Sequence, residues 1–134
     1  MKLSDNFHLS EFLRSRTAII NDYKEQFHPP SDVVGNLLKL VQNVLQPLRT
    51  RFNDRIYVTS GYRCIRVNTA VGGVENSDHP KGMAADVTCK DLEAIWILVL
   101  EMHLPFKQMI WYKDKNIIHL SFDENDIRRQ YWVN

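Results

Sequence analysis

From Val33 to Phe52 the apolar residues Val34, Leu37, Leu38, Val41, Val44, Leu45 and Leu48 recur at intervals of three and four. That spacing predicts an amphipathic helix with one buried stripe. Pro29-Pro30-Ser31 punctuates the chain before it, with Ser31 or Asp32 as the cap, and Pro47 predicts a kink or a new turn near its end. Upstream, His8 to Leu13 reads as a short helix start with Ser10 at the N-cap. Lys90 to His103 is a second apolar helix, with Ile95, Leu98, Val99 and Met102 on its packed side. Strand patterns cover Arg55 to Thr59, Ala84 to Cys89, Lys107 to Tyr112 and Ile117 to Phe122. The last two form a hairpin around the charged turn Lys113-Asp114-Lys115-Asn116. Between Ser60 and Gly82 lies a long glycine-rich loop, and loops beyond about 12–15 residues are usually functional. This order predicts an α+β domain, a mainly antiparallel sheet flanked by helices.

The chain has 134 residues, the size of a single domain spanning 1–134. A formal net charge of +1 gives no basic excess for nucleic acid. The longest apolar run, Ala94 to Leu100, falls far short of a membrane span, and the polar start lacks the apolar region of a secretory signal. A cytoplasmic pool of monomers is therefore expected. Cys64 and Cys89 are the only cysteines. They read as free thiols in preference to one disulfide, and they are too few for a cysteine-rich metal site.

Chemistry concentrates in Ser60-Gly61-Tyr62-Arg63, in Ser77 to Asp86, and in Ile118-His119-Leu120-Ser121. His79 lies in the glycine-rich loop and Asp86 follows seven residues later on a predicted strand. Gly82 and the Ala84-Ala85 pair permit the turn that would bring them together. In the last strand, alternation places Ile117, His119 and Ser121 on one side and Ile118, Leu120 and Phe122 on the core side. Two imidazoles and a carboxylate suit Zn²⁺ and leave a fourth position for water. Spacing alone leaves other readings open, such as a packed histidine or a carboxylate bonded to backbone.

The motifs Ser60-Gly61-Tyr62-Arg63, Asn68, Val71-Gly72-Gly73, Ser77-x-His79-x-x-Gly82-x-Ala84-x-Asp86 and a later His119 resemble those of a known family. It is the zinc D-Ala-D-Ala carboxypeptidase and L-Ala-D-Glu endopeptidase family, whose members cleave peptidoglycan stem peptides. The resemblance runs from about Phe7 to Gln130 and is closest to short phage and prophage lytic enzymes. It implies the hedgehog-like zinc peptidase fold, with His79, Asp86 and His119 as zinc ligands and a stem peptide as substrate. It also implies that Arg63 faces the substrate carbonyl or oxyanion and that Ser77 and Tyr112 contact substrate. A pool acting on the cell wall after release fits the same resemblance.

One departure stands out. Related chains carry an acidic general base shortly before the last zinc histidine, where this sequence has Tyr112 or Asn116. Tyrosine, with a reference pKa near 10, is a poor base at neutral pH. Asp114, in the hairpin turn, is the substitute expected from sequence, with Glu75 and Asp78 as others. A catalytically weak or inactive wall-binding module on the same scaffold is the alternative reading. Trp96, Trp111 and Trp132 read as core packing or edge covering rather than as a carbohydrate platform.

Overall fold

Residues 1–134 are described by a computed structural model. The predicted helix beyond Pro29 is present as one helical run in three parts. Helix α3 (Ser31–Leu40) passes through a widened turn, Val41–Leu45, into α4 (Gln46–Phe52). In that turn the Gln46 N–H donates to the Val41 carbonyl, five residues back. Pro47 explains the widening: it has no N–H, and its ring would crowd the carbonyl four residues earlier in a regular helix. The phase of the stripe moves with it. Val33, Leu37, Leu40, Val41, Val44, Leu45 and Leu48 are buried, whereas Val34 and Leu38 are only half-buried.

Caps also differ from expectation. Helix α1 (Leu9–Leu13) is capped by His8, not Ser10, because the Glu11 carboxylate reaches back to accept the His8 N–H at 2.7 Å. Pro30 caps α3, which leaves Ser31 as its first helical residue. Helix α2 (Arg16–Asn21) and a two-stranded N-terminal ribbon, β1 (Lys2–Ser4) with β2 (Phe7–His8), carry no clear periodicity and escape sequence reading.

The main sheet contains β3 (Tyr57–Ser60), β4 (Ala84–Thr88), β5 (Gln108–Tyr112), β6 (Ile117–Ser121) and β7 (Gln130–Val133). Their order is β3-β4-β6-β5-β7, antiparallel throughout except for the parallel β5–β7 pair. The long segment after β3 is not a bare loop: it contains α5 (Ile65–Ala70) and a helical turn at His79–Lys81. Helix α6 (Leu92–Glu101) is capped by Asp91, whose side chain accepts the Ala94 N–H.

Register divides the sheet into two faces. Ala85, Leu120 and Met109 are neighbours across three strands, and all three are buried on the core side with Val87 and Ile118. Trp96 of α6 and Trp111 of β5 join that side with ring centroids 5.8 Å apart. On the opposite face one row runs Ser60, Asp86, His119, Ile110, Trp132. Both cysteines are free, and burial pushes the Cys89 thiol pKa up. No helix is long and apolar enough to cross a membrane.

Candidate metal centre

Asp86 and His119 are directly opposite each other on β4 and β6, so the sheet alone brings them together. His119 Nδ1 lies 2.9 Å from Asp86 Oδ1. His79 arrives from the loop, its Nε2 3.4 Å from the same oxygen. One ligand atom from each of the three residues falls within 4.8 Å of the others. Gly82 makes the approach possible: it takes φ +73°, and a Cβ there would stand 2.6 Å from the Val33 carbonyl oxygen.

The ring of His79 is oriented from behind. Its Nδ1 lies 2.6 Å from the Gly61 carbonyl, which can only accept, so Nδ1 carries the proton. Nε2 then points a lone pair at the Asp86 carboxylate, an arrangement that calls for a cation between them. His79 is buried and Asp86 is 7% exposed. Burial would raise the Asp86 pKa, but the hydrogen bond from His119 and the imidazole of His79 beside it outweigh it and hold the carboxyl far below its usual range. A buried, ionised carboxylate beside two imidazoles is a donor set suited to zinc.

Arg63 reaches the same place. Its Nη2 is 3.4 Å from Asp86 Oδ2, and its Nε and Nη1 donate to Ser60 Oγ (3.1 Å) and Asn68 Oδ1 (3.3 Å). Asn68 is buried and its Nδ2 donates to the Val74 carbonyl. Gly73 leaves room for that amide, since a Cβ there would meet Asn68 Oδ1 at 2.1 Å. The Arg63 N–H also donates to the His79 carbonyl, tying the two segments together.

The triad and Arg63 line a cleft of about 760 Å³. Ser77 and Tyr112 line it as well, and the Ser77 hydroxyl accepts the His79 N–H at 3.2 Å. Asp114 does not: it is exposed on the hairpin turn, and its neighbour Lys115 lines the cleft instead. The turn's geometry is the reason, with a short helical turn at Lys113–Lys115 closed by Asn116 at φ 55°. Glu75 is likewise exposed outside the cleft. Asp78 lines it, but Lys107 Nζ holds both its oxygens, at 2.9 and 3.2 Å.

Sequence reasoning passed over two residues that build this site. Lys107 anchors the metal loop to the start of β5, and nothing in the pattern distinguishes it from a surface lysine. Gln26 is fully buried and clamps the backbone on both sides of Arg63, donating to the Tyr62 carbonyl (2.8 Å) and accepting from the Cys64 N–H (2.8 Å). Its neighbours Glu25 and Phe27 give no pattern that would mark it as buried.

Comparison with curated proteins gives no match. A family model described as peptidase M15 matches residues 5–121, which contain every residue of the triad together with Arg63. Peptidases of this family are zinc-dependent, and the His-Asp-His donor set is one that could hold the metal. On a match over most of its length, the chain belongs to the peptidase M15 family.

Proposed function

We propose that this chain is a zinc metallopeptidase that hydrolyses an amide bond in the peptidoglycan stem peptide, with His79, Asp86 and His119 holding the metal. The observation that carries the reading is the convergence of three metal-type donors and a fixed guanidinium on one cleft. Bound there, zinc supplies Lewis acidity and lowers the pKa of a coordinated water.

The chain's own residues supply the rest. Gly61 fixes the tautomer of His79, so Nε2 is free to ligate. Arg63 is held by three side chains, so its charge is already in place for an oxyanion and needs little reorganisation. Lys107 and Arg128 line the cleft already paired with Asp78 and Asp126, so Lys115 is the cleft cation placed to favour a substrate that bears carboxylates, as stem peptides do. Tyr112 and Ser77 are placed to contact the peptide.

A second reading, a zinc-holding wall-binding module without hydrolysis, rests on one specific observation. The cleft is lined by only two carboxylates: Asp86 is in the triad and Asp78 is tied to Lys107. Neither is free to act as a general base.

The test is to incubate the zinc-loaded chain with purified muropeptides and identify products by mass spectrometry, beside His119→Ala, Arg63→Lys and Asp114→Asn. The peptidase reading expects cleavage that is lost in His119→Ala, falls about a hundredfold in Arg63→Lys, and survives Asp114→Asn. Fully metallated wild type that binds muropeptides and leaves them intact would overturn it in favour of the binding module.

A further inference from the structure

The row that carries Asp86 and His119 does not stop at the cleft. On β5 it passes through Ile110, and on β7 it ends at Trp132. Neighbours in register share a face, so Trp132 is on the metal side of the sheet. Its chain neighbour Tyr131 confirms the alternation from the other side, where its ring lies 5.9 Å from Trp96 and 6.5 Å from Phe106.

The three tryptophans therefore part company. Trp96 and Trp111 stack on each other and pack against the core. Trp132 pairs with no aromatic ring, does not pack against the core, and is 38% exposed. In the neighbouring register pair, Gln108 Nε2 donates to Gln130 Oε1 at 3.0 Å. That bond leaves Gln108 Oε1 as an acceptor and Gln130 Nε2 as a donor beside the indole. A flat apolar surface edged by a free amide donor and acceptor matches a pyranose ring, which presents C–H groups on its face and hydroxyl or acetamido groups at its rim. A peptide side chain would instead call for an enclosed pocket.

We infer that Trp132, with Gln108 and Gln130, forms a sugar subsite at the outer end of the metal cleft, taking the amino sugar from which the stem peptide hangs. This rests on the peptidoglycan reading above and sharpens it. Trp132 stands two strands beyond His119, about 10 Å at the usual strand spacing. An extended chain advances about 3.3–3.6 Å per residue. A sugar over Trp132 thus brings the amide between the first and second stem residues to the metal. The terminal amide, three residues further along, would overshoot by about 10 Å.

The probe is chitotetraose, titrated into the ¹⁵N-labelled, zinc-loaded full chain while the three indole N–H resonances are followed. The Trp132 resonance is expected to shift, with Trp96 and Trp111 unmoved. Trp132→Ala abolishes binding and Trp132→Phe retains part of it; the Asn134 amide, which donates to the Trp111 carbonyl, reports whether β7 stays paired. Because no hydrolysis is needed, this result is independent of whether the chain cuts. In the cleavage assay, disaccharide-bearing stems are expected to have a KM roughly threefold to tenfold below that of sugar-free stems, a preference lost in Trp132→Ala. Absence of a Trp132 shift at millimolar chitotetraose, or a preference that survives Trp132→Ala, overturns the subsite.

Discussion

Replacing Gln26 with methionine preserves the volume of a fully buried side chain and removes all of its hydrogen bonds. The amide makes three: Nε2 donates to the Leu13 carbonyl (3.0 Å) and the Tyr62 carbonyl (2.8 Å), and Oε1 accepts from the Cys64 N–H (2.8 Å). Each buried backbone group left without a partner costs about 1–3 kcal/mol. Carbonyls with a second lone pair sit at the low end, so the expected loss is about 3–6 kcal/mol, a large share of a domain's total stability. For a chain of this length that is roughly 10–20 °C in Tm. Urea unfolding of the metal-free protein, followed by tryptophan fluorescence, measures it, and an unchanged m-value confirms that the unfolded state is the same. Gln26→Glu adds a pH signature. A buried carboxyl that must donate to carbonyls has its folded pKa raised, so its stability contribution is present below the ordinary value near 4.3 and is lost as pH rises. A loss below about 1 kcal/mol for the methionine variant, or a Gln26→Glu variant insensitive to pH, refutes the clamp.

Gly73→Ala should displace the Asn68 amide and free Arg63, lowering kcat by about tenfold with zinc affinity kept; chelator competition and steady-state kinetics separate the two effects. Lys107→Met leaves the buried Asp78 carboxylate with only the exposed Lys81 ammonium at 3.8 Å and should cost about 3 kcal/mol in urea unfolding, more than Asp78→Asn, which keeps a polar group facing Lys107. Tyr112→Glu places a carboxylate on the metal face, where the Lys115 ammonium, now 5.2 Å from the Tyr112 ring centroid, would keep it ionised. Its kcat on muropeptides should rise about tenfold or more, as an added general base predicts; an unchanged rate would show that proton transfer is not limiting.

The parts of this fold that a reader can take from the sequence are those whose periodicity reports burial. The β5–β6 hairpin is legible because Met109, Ile118 and Leu120 alternate with cleft residues, and α6 because Ile95 and Val99 recur on one side. What stays hidden lacks that contrast. β7 is exposed at all four positions, so it has no buried set to mark it, and it is held by backbone pairing with β5. The break at Val41–Leu45 is a consequence of Pro47 felt upstream, which residue counting cannot locate. Motif order names the triad, and the structure brings its three donors together; Asp114 lies outside the cleft because a turn's direction, unlike a strand's, is not encoded by alternation.

The two faces of the sheet are under different constraints, and this explains how a chain can keep the metal site while changing the chemistry around it. Ala85, Val87, Met109, Ile118 and Leu120 belong to the core, so a change at any of them costs folding energy. Gln108, Ile110, Tyr112 and Trp132 alternate with them and lie outside that core. Within the cleft face, the triad and Arg63 form a bonded network that reaches Gly61, Ser60 and Asn68, so each member is held by others. Tyr112 has no such tie: the Lys115 ammonium faces its ring at 5.2 Å from the centroid. A residue there can be exchanged without disturbing either the fold or the metal donors. If the chain acts as proposed, the scaffold would fix where a peptide bond is held, and residue 112 would be the position at which a proton-transfer group is gained or lost.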